Sequence, residues 1–302
     1  MLALSTGNGV VGGIAPWLQQ HWDWRAAANF ICGGTGSGLL LATAVMSIGG
    51  GMVRPLALLS LAFVALGLFF VWLETGRPLR APLNVLFHPQ TSWMTREAMV
   101  ALVLFPFGLI AVWQDGVFGA HLTAPVAFAF LYCQAQILKA SRGIPAWREA
   151  AIVPLIITTG LTEGCGLYLL AASLLAPGNG TTAAGGLLVL VIIRSWNWAS
   201  YHRIMATDAP TGTLRELARA NIPFMAVGNI APLALVVGAL MWPDIQAYAL
   251  PLAGALALLG GWYLKYMIIV LASYNQGFAL ERSPERGTGG GGPGAKPGWN
   301  WS

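Results

Sequence analysis

VRPLALLSLAFVALGLFFVWL, running from Val53 to Leu73, contains one ionisable residue, Arg54, in 21 positions. A hydrocarbon layer about 30 Å thick needs roughly 20 apolar residues of helix to cross it. The run also lacks the period-2 alternation of a barrel strand. Inside a bilayer no water is present to bond exposed backbone groups, so a continuous apolar run of this length reads as a transmembrane helix. Similar runs lie near Ala26–Ile48, Ala98–Trp113, His121–Leu138, Ala150–Leu175, Ala184–Tyr201, Ile222–Trp242 and Ile245–Tyr274. The expected fold class is therefore all-α, a polytopic membrane protein of about eight transmembrane helices. The membrane domain is expected over residues 1–282 and a Gly/Pro-rich tail over 283–302. Composition agrees: 56% hydrophobic and 9% charged residues in a chain of 302, with a mean hydropathy of +0.66, exceed what a soluble core uses. The stretch before Trp17 is uncharged and Gly-rich, so no cleavable signal peptide is expected.

Charge orients the bundle. Thirteen of the sixteen Lys and Arg fall in the N-terminal segment, in alternate connections or in the tail: Arg25, Arg77, Arg80, Arg96, Lys139, Arg142, Arg148, Arg203, Arg215, Arg219, Arg282, Arg286 and Lys296. The opposite side carries Arg54 alone, and Arg194 and Lys265 lie within spans. The positive-inside rule then puts both termini in the cytoplasm. The isoelectric point near 9.4 reports this topology, and no nucleic-acid partner is needed to explain it.

Metal chemistry is disfavoured by spacing. Cys32, Cys133 and Cys165 are single and far apart, which suits buried packing residues better than a zinc site or an iron–sulfur cluster. His21, His88, His121 and His202 sit in connections or at span ends, whereas a bis-His haem needs facing histidines inside the bundle. No haem or iron–sulfur cluster is expected in this chain. Gly33–Gly38, GGTGSG, lies in an apolar span with no following Lys, so close helix packing at Gly34 and Gly38 is favoured over nucleotide binding.

Ionisable groups deep in a span carry a penalty of at least about 2.5 kcal/mol each. Glu163 and Arg194 fall at depths of roughly 20 and 14 Å, counted at about 1.5 Å per residue, close enough to pair. They read either as a buried ion pair fixing helix register or as a step in a proton pathway. Lys265 is a third member of that network or a side chain reaching toward the interface.

The densest polar cluster is WLETGRPLRAPLNVLFHPQTSWMTRE, Trp72 to Glu97. It reads either as a basic loop anchored by Trp93 and facing anionic membrane lipid, or, given Pro78, Pro82 and Pro89, as an ordered docking surface. Arg77, Arg80 and Arg96 are its partner-facing candidates. The tail, with Trp299 and Trp301, is a disordered end or a strap over a partner. Asn179-Gly180-Thr181 is a glycosylation sequon and a turn signal, and the turn is favoured.

That loop, with HWDWRAAANF (His21–Phe30) and FLYCQAQILKASRGIPAW (Phe130–Trp147), resembles the membrane anchor subunits of molybdopterin oxidoreductases, the NrfD, DmsC and polysulfide reductase type. Within that family it is most similar to the membrane subunits of phenylacetyl-CoA:acceptor oxidoreductases. The resemblance covers most of the chain, most closely from His21 to Trp147. It implies an NrfD-like bundle in the bacterial cytoplasmic membrane, acting in anaerobic respiration. Such a chain is a non-catalytic or quinone-reactive subunit that passes electrons between the quinone pool, menaquinone or ubiquinone, and a docked ferredoxin-like iron–sulfur subunit. A molybdopterin catalytic subunit would complete the complex. A quinone pocket would lie at the cytoplasmic end of the first four spans. By this resemblance Asn29 would stand where a quinone-contacting His is found, Tyr132 would face it, and Glu74 would be the acid at the end of the second span. Asn at position 29 can hydrogen-bond a quinone carbonyl and cannot protonate it.

The residue types fit that chemistry on their own terms. A quinone needs an apolar slot, hydrogen-bond partners for two oxygens and a proton route. Asn29, Tyr132, Trp93 and His88 can donate, and Glu74 and Glu97 can shuttle protons. The charge count adds that the catalytic partner is cytoplasmic. The competing reading is a secondary transporter with a buried Glu163/Arg194 site, although no internal repeat supports it.

Overall fold

A computed structural model describes residues 12–50, 53–75, 92–175 and 180–280. Eight of its helices are long and apolar enough to cross a membrane. The chain is an all-α, multi-pass membrane protein.

In chain order the helices are α1 (Trp24–Ser47), α2 (Arg54–Glu74), α3 (Trp93–Gln114), α4 (Val117–Ala140), a short α5 (Pro145–Arg148), α6 (Ile152–Leu175), α7 (Gly180–Asp208), α8 (Thr211–Met225), α9 (Ala231–Met241) and α10 (Gln246–Tyr266). A π-helical turn, Ala226–Ile230, joins α8 and α9 into one span, and a second, Met267–Leu271, extends α10. Strands β1 (Gly12–Ile14) and β2 (Phe278–Leu280) pair antiparallel.

Hydropathy locates every span but misplaces some ends. The third helix begins at Trp93, five residues before the apolar run, because Ser92 and Thr95 form a reciprocal N-terminal cap. Arg96 and Glu97 are thereby helical, and Glu97 is buried. The seventh span starts at Thr211, where amphipathic α8 leads into the apolar part.

Helices α1 and α6 form the centre: 78% and 83% of their apolar windows are buried inside the protein, against 50% or less for the other six. A side chain on Gly38 of α1 would run into the backbone of Gly160, and one on Gly164 of α6 into the backbone of Gly38. Only glycine allows the two axes to approach so closely. Gly166 and Gly254 repeat this device between α6 and α10. Many apolar side chains of α2, α3 and α7, such as Leu66, Val103 and Ile192, face outward, as lipid contact requires.

Hydrogen bonds tie the connections together at each end of the bundle. On one end Asn275 donates its backbone N–H to Trp17, Tyr201 donates its hydroxyl to Ala146 O, and Thr213 donates to Ala272 O. These bonds gather the N-terminal segment, α5, the end of α7, the start of α8 and the C-terminal segment. On the other end Arg54 donates its backbone N–H to Asp115 Oδ1 and its Nε to Val112 O. Arg54 thus closes the C-terminus of α3, where Asp115 adopts a left-handed conformation at φ 48°.

Candidate functional site

A cavity of about 390 Å³ opens where α1, α2, α3 and α4 meet the N-terminal segment, lined by His21, Trp22, Asn29, Phe30, Glu74 and Glu97 among others. Asp23 starts α1 by accepting the Arg25 N–H at 2.8 Å, and its carboxylate also takes the Arg25 guanidinium at 2.9 Å. The hydrogen bond from the Arg25 side chain holds the Asp23 carboxyl below the usual carboxylate range. The same guanidinium donates to Leu73 O at 3.2 Å, which ties the start of α1 to the end of α2 beside Glu74.

The preceding loop is fixed by Gln19. Its Oε1 accepts the backbone N–H groups of His21 and Trp22, and its Nε2 donates to Trp22 O and to Ser273 Oγ. Trp22 stacks on Trp147 with centroids 4.8 Å apart. The apolar wall of the cavity is therefore held rigid by contacts to α5 and to the segment after α10.

The floor is polar and buried. Asn29 and Glu97 are each 2% exposed, and Gln134 is fully buried behind them. Gln134 Nε2 donates to Asn29 O at 3.1 Å, and the Glu97 carboxyl lies against the side-chain amides of Gln134 and Asn29. Asn29 Oδ1, Gln134 Oε1 and Glu97 Oε1 are sealed from solvent and have no hydrogen-bond partner among the described residues. Buried polar atoms are nearly always paired, so this cluster behind the cavity wall is the polar feature of the site that calls for a partner.

The remaining expected site residues are distributed differently. Tyr132 and Trp93 pack edge to face at 5.8 Å, with Arg96 stacked on Trp93 at 4.4 Å. Tyr132 is not among the residues lining the cavity; it is 38% exposed on the outer face of α4. Trp93 lines a separate open groove with Lys139, Arg142 and Arg148. His88, Arg77 and Arg80, and the tail over 283–302, lie outside the described residues.

Deeper in the bundle, Glu163 pairs with Lys265 and not with Arg194. Lys265 Nζ lies 2.6 Å from Glu163 Oε2, with both side chains fully buried, and also donates to Phe30 O at 2.9 Å. Thr35 donates its hydroxyl to Glu163 and accepts from Trp262 Nε1. Two glycines make room: a side chain on Gly34 would meet the Lys265 ammonium, and one on Gly261 would meet the Glu163 carboxylate. Gly34 thus admits a side chain, while Gly38 serves helix contact.

Arg194 has a different task. Its Nε donates to Asn229 Oδ1 and its Nη1 to Ala257 O, both at 2.9 Å, and its Nη2 donates to Gly228 O. Pro232 has no N–H to return to Gly228, four residues back, and the π turn displaces the neighbouring bonds. The guanidinium supplies the missing donors. The separation from Glu163 is legible only in three dimensions, since depth along each helix says nothing of which face it occupies.

Glu97 and Gln134 are the residues that sequence reading undervalued. The signal for Glu97 was present in the Ser92–Thr95 cap, which carries the helix through the charged pair. No signal marks Gln134. A comparison with protein-family models and with curated proteins gives no match.

Proposed function

We propose that this chain is a quinone-binding membrane anchor subunit of an oxidoreductase complex. It would lie in the bacterial cytoplasmic membrane with both termini inside and exchange electrons with a cytoplasmic iron–sulfur subunit that serves a molybdopterin catalytic subunit. The observation that carries the reading is the cavity walled by Trp22, Phe30 and Met94 and floored by Asn29 and Glu97. Its volume of about 390 Å³ suits a single aromatic head group. The polar residues on its lining, Asn29, Glu74, Thr75 and Glu97, are the kind that orient such a ring.

A quinone supplies two-electron, two-proton redox chemistry. The chain's own residues supply a flat apolar wall, hydrogen-bond partners at Asn29, and two carboxyls, Glu74 and Glu97, for exchanging protons with the rim. Arg96, Lys139, Arg142 and Arg148 give that rim a cationic character, which suits an acidic docking partner. The transporter reading finds less support, because Arg194 is engaged by carbonyls and Asn229, and Glu163 by Lys265.

The test is purification of the full chain and solvent extraction of bound lipid cofactor. About one quinone per protein is expected, and Asn29→Leu should lose it while keeping the helical circular dichroism. Protein that carries no quinone, and whose tryptophan fluorescence is not quenched by added ubiquinone or menaquinone analogues, refutes the reading. Co-purification of an iron–sulfur subunit tests the docking claim separately.

A further inference from the structure

The open groove between the start of α3, the end of α4 and α5 has a volume of about 640 Å³ and is lined by Trp93, Gln136, Lys139, Arg142, Arg148 and Glu149 among others. Three cations there face one carboxylate. Arg148 is anchored, its Nη1 donating to Gln276 Oε1 at 2.7 Å, while Glu149 approaches it only to 4.0 Å. Lys139 and Arg142 are exposed and form no ion pair among the described residues. The groove also continues an apolar line. On the outer face of α4, Phe128, Tyr132, Gln136 and Lys139 recur at spacings of four, four and three, so they follow one another along a single helix face. At about 1.5 Å per residue, Phe128 to Lys139 spans about 16 Å, about half of a hydrocarbon layer some 30 Å thick. Polarity along that line passes from exposed aromatic to amide to ammonium. The Trp93 and Tyr132 rings, edge to face at 5.8 Å, stand where the apolar part gives way to the charges, the level that such amphipathic rings occupy in a bilayer.

We propose that this groove binds one anionic phospholipid, its phosphate held by Lys139, Arg142 and Arg148 and an acyl chain lying along Tyr132 and Phe128. The inference uses the membrane-spanning fold alone and stands whether or not the quinone reading does. Basic groups close to the membrane surface attract anionic lipid, and here two of them lack a counter-charge in the protein. A zwitterionic lipid brings its own cation toward Lys139 and Arg142, so the groove discriminates by head-group charge. An acidic protein segment would satisfy the same cations but leaves the line from Gln136 to Phe128 unused, which is why lipid fits better. The docking partner proposed above would meet the rim with this lipid in place.

The experiment is a titration of the delipidated full chain in detergent with phosphatidylglycerol and with phosphatidylcholine of identical oleoyl chains, read by native mass spectrometry. The first phosphatidylglycerol is expected to bind about tenfold more tightly than phosphatidylcholine, as two uncompensated cations imply. Lys139→Gln/Arg142→Gln should bring that ratio to within about threefold of unity. Arg203→Gln/Arg215→Gln, which removes two exposed cations of α7 and α8, should leave it unchanged. Equal affinities for the two lipids in the native protein overturn the proposal. So does a loss of preference as large in Arg203→Gln/Arg215→Gln as in the groove variant, since the attraction would then belong to the whole charged end. Displacement of the bound lipid by millimolar sodium phosphate would reduce the groove to a bare phosphate site, and displacement by a Glu-rich peptide would assign it to an acidic protein partner; either result also overturns it. The comparison within the native protein decides the matter even if the groove variant does not fold.

Discussion

The buried Glu163–Lys265 pair offers the sharpest test of the central packing. At 2.6 Å and an effective dielectric of about 20, the attraction between unit charges is about 6 kcal/mol. Removing each ion from water costs several kcal/mol, so the intact pair adds little net stability. Breaking it is another matter. Glu163→Gln leaves the Lys265 ammonium facing only neutral acceptors, the amide oxygen and Phe30 O, in a site where both native side chains are fully buried. The expected loss is about 3–5 kcal/mol, the range for an uncompensated buried charge. Lys265→Met should cost about as much, since it strands a carboxylate whose Oε1 already lacks a partner. The double variant Glu163→Gln/Lys265→Met removes both charges and should lie within about 2 kcal/mol of the native protein, giving a coupling energy of at least about 4 kcal/mol. Reversible unfolding in mixed micelles, followed by tryptophan fluorescence, measures all four corners. A coupling below about 0.5 kcal/mol would falsify the claim that these two side chains form one electrostatic unit.

Arg194→Met should destabilise by about 2–4 kcal/mol, because Gly228 O and Asn229 Oδ1 lose their donor. Adding Pro232→Ala returns a backbone N–H near Gly228 and should recover part of that loss; a neutral Arg194→Met in the same unfolding assay contradicts this assignment. Gly164→Ala would drive α6 into the backbone of Gly38 and should lower the melting temperature by several degrees. Gly185→Ala on α7, with nothing within 4 Å of the added carbon, should leave it unchanged or raise it slightly through helix propensity. Asp23, whose carboxyl is held below its ordinary range by Arg25, contributes stability that is present above the unfolded carboxylate value near 3.9 and fades as pH falls through the lower folded value. Asp23→Asn should therefore flatten the acid limb of the stability profile, which thermal melts between pH 3 and pH 6 can follow.

The eight spans were legible because crossing a bilayer imposes a length and an apolarity that survive in one dimension. Val53–Leu73 needs no neighbours to be recognised. The gathering of connections at one end is likewise implied by alternation of Arg and Lys. The site was half legible: Asn29 and Glu74 come together at the cavity, while Tyr132 lies on the outer face of α4 and Trp93 in the adjoining groove. A span that is apolar all round carries no stripe from which its inward face can be read. Glu97 carries an acid signal in the sequence but falls before the apolar run, and only the Ser92–Thr95 cap places it inside the helix.

The sequence alone determined that this chain is a bundle of membrane helices with one cationic end, because hydrophobic length and charge placement are properties of each segment by itself. Tertiary structure alone decided that Lys265 and not Arg194 answers Glu163, that Gly34 makes space for an ammonium, and that Asn29, Glu97 and Gln134 share one buried floor. Pairing depends on the rotation of each helix about its axis. That angle is set where glycines such as Gly38 and Gly164 let backbones touch, through van der Waals contacts that the composition of a single span does not encode.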